Sequence, residues 1–209
     1  MSRARIAVLV SGGGTNLQAL INAERRGELA DGTIAVVIAN RADAYALERA
    51  RRAGIATEVV LKKDCGSAEA FEARLHALLA QYGIDIIVLA GFMSILSESF
   101  TGAYPRRIIN VHPSLIPAFC GKGYYGLKVH EAALAYGVKV TGATVHFVNE
   151  IPDGGEIILQ KAVSILPNDT PETLQKRIMV EAEWNILPEA VRLFCEDKII
   201  VENNKVYIK

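Results

Sequence analysis

An asparagine and a histidine two residues apart are the strongest candidates for chemistry in this chain of 209 residues. Asn110 and His112 end a short apolar run and are followed directly by Pro113. Side chains alternate along a strand, so both should point to the same side. An amide donor and an imidazole together can stabilise an oxyanion and move a proton. A histidine simply packed at a strand end is the alternative, and the long irregular stretch 112–126 favours the catalytic interpretation.

A glycine-rich segment near the N terminus predicts an anion site. Gly12, Gly13, Gly14, Thr15 and Asn16 follow a strand pattern and precede a helix pattern. Backbone N–H groups at such a junction attract phosphate or carboxylate, and the positive helix end adds to the attraction. A tight turn without a ligand is the alternative. The dinucleotide fingerprint G-x-G-x-x-G is incomplete and no Walker sequence is present, so neither type of nucleotide site is expected.

One aspartate and the other histidines complete the candidates. Asp153 lies in a Pro-Asp-Gly sequence, which is most often only a turn. If it faces His112, it would raise the imidazole pKa. We interpret His76 and His146 as structural, and His130 as either a surface residue or a neighbour of the site. No metal site is predicted, because no histidine has a second ligand at metal spacing.

The elements around these residues predict an α/β fold. Five apolar runs at 5–10, 33–38, 56–61, 86–90 and 108–111 alternate with helix patterns at 16–26, 45–52, 67–82 and 98–104. This alternation is typical of a parallel sheet, whose strands bind ligands at their carboxyl ends. The remainder predicts a helix at 127–136, strands at 143–148 and 156–162, a helix from 170 to at least 186 that Pro188 kinks or interrupts, and a hairpin at 198–208.

Charge and cysteine content exclude several classes of protein. The 23 basic and 23 acidic residues give zero net charge, so coating DNA, RNA or anionic membranes is excluded as the main role. The charge is uneven, with +4 over 1–149 and −4 over 150–209. Cys65, Cys120 and Cys195 are too few and too widely spaced for a disulfide framework. Because neither a signal peptide nor a membrane span is visible, a cytoplasmic protein is expected.

Five motifs in order resemble one family of enzymes. They are VSGGGTNL at 10–17, VLAGFM at 88–93, NVHPSL at 110–115, VHFV at 145–148 and DGG at 153–155. Together they resemble the phosphoribosylglycinamide formyltransferases, which are folate-dependent. The resemblance implies a Rossmann-like formyltransferase fold, with a mainly parallel sheet flanked by helices and a mixed C-terminal part. It also implies one domain over 1–209, with a phosphate-binding half at about 1–105 and a catalytic and folate half at about 106–209.

The resemblance implies a reaction and a role for each catalytic residue. Formyl would pass from 10-formyltetrahydrofolate, the co-substrate, to the amine of glycinamide ribonucleotide in purine biosynthesis, with no metal. Asn110 would bind the formyl oxygen, and His112 would act as general acid and stabilise the oxyanion. Asp153 would keep His112 protonated and help to pass a proton from the attacking amine to the folate nitrogen.

The resemblance also implies where the two substrates bind. The loop at 12–16 would hold the ribonucleotide phosphate, and Glu183 would contact the ribonucleotide. Helical geometry places Glu183 at the border of the apolar face, between a crevice and solvent. The folate would lie along two segments, Met93, Ser94, Ile95 and Leu96 in the first and Asn149, Glu150, Ile151, Pro152 and Asp153 in the second.

Two departures from the family and three alternatives remain at this point. Ala68 replaces an arginine that meets the folate glutamate tail in some relatives, and the segment 118–126 is longer than in some members. The alternatives are formyltetrahydrofolate deformylase, methionyl-tRNA formyltransferase and a non-catalytic folate- or phosphoribosyl-binding module. The acidic C-terminal third argues against a tRNA enzyme. Small molecules are the expected partners, without nucleic acid or membrane, and the chain is expected to be a monomer or homodimer.

Overall fold

The computed structural model describes residues 3–209. Strands and helices alternate from residue 4 to residue 147. The strands are β1 Ala4–Val10, β2 Gly32–Ala39, β3 Ala56–Val59, β4 Ile86–Leu89, β5 Ile108–His112, β6 Val140–Phe147, β7 Ile157–Ser164, β8 Ile199–Glu202 and β9 Lys205–Ile208. The α-helices are α1 Thr15–Arg25, α2 Tyr45–Arg52, α3 Ala68–Gln81, α4 Glu98–Ala103, α5 Leu127–Tyr136, α6 Pro171–Ile178 and α7 Trp184–Cys195.

Seven strands form one sheet in the order β3-β2-β1-β4-β5-β6-β7. The first five strands are parallel, and β6 and β7 add antiparallel neighbours at one side. The strand order reverses between β1 and β4, where ligands bind in open α/β sheets. The mainly parallel sheet with a mixed C-terminal part is therefore confirmed. Strands β8 and β9 form the separate hairpin that the sequence predicts.

Helices cover both faces of the sheet because its strands are apolar on both sides. Ile6 and Val8 of β1 belong to one buried cluster with side chains of α1, α2, α6 and α7. Ala7 and Leu9 belong to the second cluster, with side chains of α3 and α4. Continuous apolar runs are what a strand buried on both faces requires. Packing on both faces fixes the parallel strands, so that their carboxyl ends lie together at one edge of the sheet.

The last long helix differs from its prediction. The sequence predicts one helix that Pro188 kinks or interrupts, whereas Pro188 lies inside α7. The departure from α-helical geometry comes earlier, in a π turn at Met179–Glu183 that joins α6 to α7. A π turn carries one extra residue per turn, and such turns are frequent at functional sites. No helix among the described residues is long and apolar enough to cross a membrane.

Candidate functional site

Asn110 and His112 lie where β5 leaves the sheet. Their partners on the antiparallel strand β6 are His146, which is opposite Asn110, and Thr144, which is opposite His112. Both candidates therefore lie opposite polar residues of β6. His112 and His146 are buried, while Asn110 is half-buried.

Four side chains form one connected polar network at this place. The Asn110 amide nitrogen lies 3.1 Å from His146 Nε2. Asp153 lies between the two histidines, with Oδ1 3.6 Å from His146 Nε2 and Oδ2 3.4 Å from His112 Nδ1. The other His146 nitrogen, Nδ1, donates to the Phe147 carbonyl at 2.7 Å. His146 Nε2 therefore faces both the Asn110 amide nitrogen and the Asp153 carboxylate.

His112 faces an acceptor at each ring nitrogen. Its Nε2 lies 2.9 Å from the Phe119 carbonyl, and its Nδ1 faces Asp153. Burial lowers the pKa of His112 below its ordinary value, and the Asp153 carboxylate opposes that effect. The expectation that Asp153 favours the protonated ring is correct for the carboxylate's own contribution, but burial outweighs it in this structure. An imidazolium here would donate two hydrogen bonds.

The turn that carries Asp153 is pressed against β6. Asp153 has a left-handed φ of 57°, which aspartate tolerates better than most residues. A side chain at Gly155 would overlap the Phe147 carbonyl, so glycine is required there. Burial by itself would raise the pKa of Asp153, but hydrogen bonding to His146, the charge of His112 and the Gly121 N–H together hold it below its ordinary value. Asp153 is thus anionic at neutral pH.

His130 lies on α5, close enough to His112 for their charges to repel. It is buried, and neither of its ring nitrogens has a partner among the described residues. Burial lowers the pKa of His130 to about 4, and the neighbouring His112 adds to the effect. His130 is therefore neutral near pH 7 and is a buried neighbour of the catalytic candidates, which was one of its two interpretations.

The glycine loop follows β1 and begins α1. Gly14 has a φ of 72°, and a side chain there would lie 2.6 Å from the Ala46 Cβ of α2, so only glycine fits. The Gly12 carbonyl accepts the Ala46 N–H at 3.0 Å. The N–H groups of residues 12–16 donate to no residue that the structure describes. A row of free N–H groups at a helix start is suited to bind an anion.

Glu183 completes this end of the site from the π turn. Its side chain is buried and accepts a hydrogen bond from the Asn16 amide nitrogen at 2.6 Å. Burial raises the pKa of Glu183 to about 7, although the Asn16 hydrogen bond opposes the rise. Helical geometry alone did not decide whether Glu183 faces a crevice or solvent. The structure buries its side chain against the glycine loop. The oxygen of the Asn16 amide has no partner in the described chain.

The first predicted folate segment lies at the carboxyl end of β4. The Met93 N–H donates to the Ser11 hydroxyl at 2.8 Å, and the Ser94 hydroxyl accepts from Asn40 at 2.8 Å. Leu96 is buried in the second core cluster, whereas Ile95 is 78% exposed. The segment is therefore tied to the loops after β1 and β2, at the reversal of strand order.

The second predicted folate segment lines a groove of about 1420 Å³. Its five residues, Asn149, Glu150, Ile151, Pro152 and Asp153, all border the groove, together with Ile116, Pro117 and Cys120 of the long loop. The Asn149 side chain accepts the Ile151 N–H at 3.0 Å and so shapes the turn. Met93, Ser94, Ile95 and Leu96 do not line this groove, but Val148 packs against the cluster that contains Leu96. The structure therefore does not bring the two predicted folate segments together in one groove.

The sequence predicts a structural role for His146, and the structure adds contacts that the sequence did not show. His146 contacts both Asn110 and Asp153. These contacts follow from the register of β5 and β6, which places Asn110 opposite His146. The motif VHFV was the available signal, but only strand pairing shows which residue the histidine faces. Within residues 3–209, no group of three or more histidine, cysteine, aspartate or glutamate side chains is arranged to hold a metal ion.

Comparison with known sequences gives one family. The sequence model of the formyl transferase family matches residues 4–191. The phosphoribosylglycinamide formyltransferase of Haemophilus influenzae is 41% identical over 204 residues, covering 98% of this chain and 93% of the relative. The human trifunctional purine biosynthetic protein adenosine-3 is 43% identical over 205 residues, and the chain spans only 20% of its length.

Comparison with solved structures gives the same fold. The crystal structure of glycinamide ribonucleotide transformylase 1 from Symbiobacterium toebii matches with a TM-score of 0.92 and 48% identity, covering 99% of this chain and 94% of that one. A formyltetrahydrofolate deformylase from Pseudomonas syringae matches with a TM-score of 0.87 and 30% identity, and the chain covers 66% of it.

Proposed function

The chain belongs to the formyl transferase family, and we propose that it transfers a formyl group from 10-formyltetrahydrofolate to the amine of glycinamide ribonucleotide. The products are formylglycinamide ribonucleotide and tetrahydrofolate, in de novo purine biosynthesis. The observation that carries the proposal is the continuous network of Asn110, His146, Asp153 and His112 beside the switch point of the sheet.

The first chemical step is attack of the ribonucleotide amine on the formyl carbon. A C–N bond forms and the formyl oxygen takes up the electron pair, giving a tetrahedral oxyanion. The Asn110 amide has a second N–H beyond the one that faces His146, and His112 carries its proton on Nε2. Both donors stabilise the oxyanion, which is the type of interaction that contributes most to acyl transfer.

The second step breaks the bond between the formyl carbon and the folate nitrogen. The proton lost by the attacking amine passes to that leaving nitrogen, and His112 assists the transfer together with Asp153, which lies 3.4 Å from its Nδ1. In the present structure the Phe119 carbonyl accepts the His112 Nε2 hydrogen bond. The formyl oxygen replaces that carbonyl when the substrates bind.

The two ends of the site bind the two substrates. The N–H groups of 12–16 hold the ribonucleotide phosphate, and Glu183 with Asn16 receives its ribose and glycinamide part. Folate lies along Met93 to Leu96 and along Asn149 to Asp153. The enzyme works in the cytoplasm as a monomer or homodimer on small molecules, without metal, nucleic acid or membrane.

Two other functions use only part of these features. A deformylase transfers the same formyl group to water, so it has no need of the anion site at 12–16. A non-catalytic binding module has no need of a buried network of two histidines and an aspartate, since burying such groups costs free energy. Formyl transfer to an anionic acceptor uses both ends.

The decisive experiment is a formyl-transfer assay with purified protein and 10-formyltetrahydrofolate. With glycinamide ribonucleotide present, we expect tetrahydrofolate and formylglycinamide ribonucleotide to form in equal amounts. Without the ribonucleotide, tetrahydrofolate release should be negligible. Tetrahydrofolate release at a comparable rate without the ribonucleotide would mean that the protein is a deformylase. No release under either condition would mean that it is a non-catalytic binding module.

A further inference from the structure

Helix α2 contacts the glycine loop through its backbone and through one side chain. The Arg49 Nε donates to the Gly13 carbonyl at 2.8 Å, and its Nη1 donates to the Gln18 side chain at 3.1 Å. The Arg49 guanidinium also lies 5.1 Å from the centre of the Tyr45 ring. One α2 side chain therefore contacts the loop, the first helix and its own helix start.

These contacts fix the direction of the loop's N–H groups. In a trans peptide the C=O and the following N–H point in opposite directions. The Gly12 carbonyl points at the Ala46 N–H, and the Gly13 carbonyl points at Arg49. The N–H groups of Gly13 and Gly14 must therefore point away from α2, and neither donates to any described residue. Helix α2 thus aims two donors at the anion.

Arginine suits this role better than a point charge. Its planar guanidinium offers several N–H donors in a fixed fork, so it can hold a carbonyl and an amide together. Within residues 3–209, no carboxylate lies within ion-pair distance of Arg49, whereas Arg52 of the same helix pairs with Glu48. Nothing in the described chain competes for the donors that Arg49 gives to the loop.

We propose that Arg49 is a positioning residue for phosphate binding, acting through the Gly13 carbonyl and not by touching the phosphate. The proposal rests on the proposed function, because it assumes that the loop at 12–16 binds the ribonucleotide phosphate. When Arg49 is removed, the peptide between Gly13 and Gly14 can rotate, and its N–H no longer points at the anion.

Binding of ribose 5-phosphate, followed by NMR shifts of the backbone amides of 12–16, tests the proposal without catalysis. We expect Arg49→Ala to weaken binding about tenfold or more, the effect of a lost charged hydrogen bond. Arg49→Lys keeps the charge and should still weaken binding clearly. Arg51→Ala removes the same charge from an exposed position of the same helix and should bind like the wild type.

Steady-state kinetics separates positioning from a general loss of structure. Arg49→Ala should raise the KM for glycinamide ribonucleotide about tenfold, while kcat and the KM for the folate change less than about twofold. Equal losses in all three constants would overturn the proposal, and the Lys variant supplies the same comparison if the Ala variant does not fold. Full recovery in Arg49→Lys would show a role for charge alone and would also overturn it.

The binding experiment separates failure of the proposal from failure of the proposed function. If the wild-type amides do not respond to ribose 5-phosphate, the phosphate site of the proposed function is wrong, and the role of Arg49 falls with it. If the wild type responds and Arg49→Ala binds with equal affinity, only the role of Arg49 is wrong.

Discussion

The two ends of the candidate site use different chemical groups for different tasks. At 12–16 the groups that would face the proposed ligand are backbone N–H donors, held by α2 and by the start of α1. Around His112 the working groups are titratable side chains of β5, β6 and the turn at 153. Backbone donors keep one charge distribution at every pH, whereas side chains change theirs. The comparison indicates that the first end binds and the second end reacts.

Loss of the His112 side chain should have the largest effect of the substitutions, and this effect should be on kcat. We expect His112→Ala to lower kcat by at least about 10²-fold, because a general acid typically contributes about 10² to 10⁴. The KM for the ribonucleotide should change little, since His112 lies at the reacting end. Steady-state assays of formyl transfer measure both constants.

A matched histidine elsewhere in the chain provides the control. His76 of α3 is bonded to the Tyr104 hydroxyl at 2.8 Å, away from the network. His76→Ala should keep wild-type kcat. A His112→Ala protein that folds and retains full activity would show that His112 takes no part in the mechanism. The distinction between a binding end and a reacting end would then be wrong as well.

Glu183 is the exception to this division, because it is a titratable group at the binding end. Its pKa of about 7 lies above the ordinary 4.5. A raised folded-state pKa stabilises the fold below pH 4.5, and that stabilisation is lost as pH rises to about 7. The loss amounts to about 3 kcal/mol. Glu183→Gln removes this contribution, so from about pH 5 to about pH 8 its free energy of unfolding in urea should fall less, or rise more, than that of the wild type.

A neighbour in the same π turn tests whether burial is the cause. Glu181 is exposed, so Glu181→Gln should leave the stability difference between the acidic and the alkaline measurement as in the wild type. An equal pH dependence in Glu183→Gln and the wild type would mean that Glu183 does not titrate in this range. The binding end would then be as independent of pH as its backbone donors.

Removal of the Asp153 charge should have the smallest effect, a change in pH dependence. Asp153 raises the pKa of His112 against the effect of burial, so Asp153→Asn lowers that pKa further. If His112 acts as an acid, the rate falls as pH rises through its pKa, and in the variant this fall should move to lower pH. Above the pKa, the protonated fraction of the imidazole drops about tenfold for each pH unit by which the pKa is lowered. A pH–kcat profile shows the displacement, and an unmoved profile would separate Asp153 from the tuning of His112.

The sheet and the placement of Asn110 and His112 at the end of β5 could be predicted because their signals are local. Apolar runs such as 86–90 and 108–111 identify buried parallel strands, and the alternation of Asn110 and His112 places both side chains on one side. The role of His146 could not be predicted in this way. It depends on the antiparallel pairing of β6 with β5, which joins residues 36 positions apart.

The contacts of Arg49 and Glu183 could not be predicted from sequence for the same reason. Arg49 meets a carbonyl 36 residues away, and Glu183 meets Asn16 across 167 residues. The π turn was also invisible, because an apolar pattern with a period of about 3.6 does not show where one residue is added. Sequence patterns describe each element by itself, whereas the site depends on the packing of one element against another.

The π turn makes the length of this helix a constraint on the enzyme. Each residue of an α-helix advances the side chains by about 100°, so deletion of one residue between 179 and 183 would rotate α7 by that angle relative to α6. Leu174 of α6 and Leu187 of α7 are both fully buried and could not both remain so. A straight helix would therefore have to give up either its contact with the sheet or the carboxyl group facing Asn16.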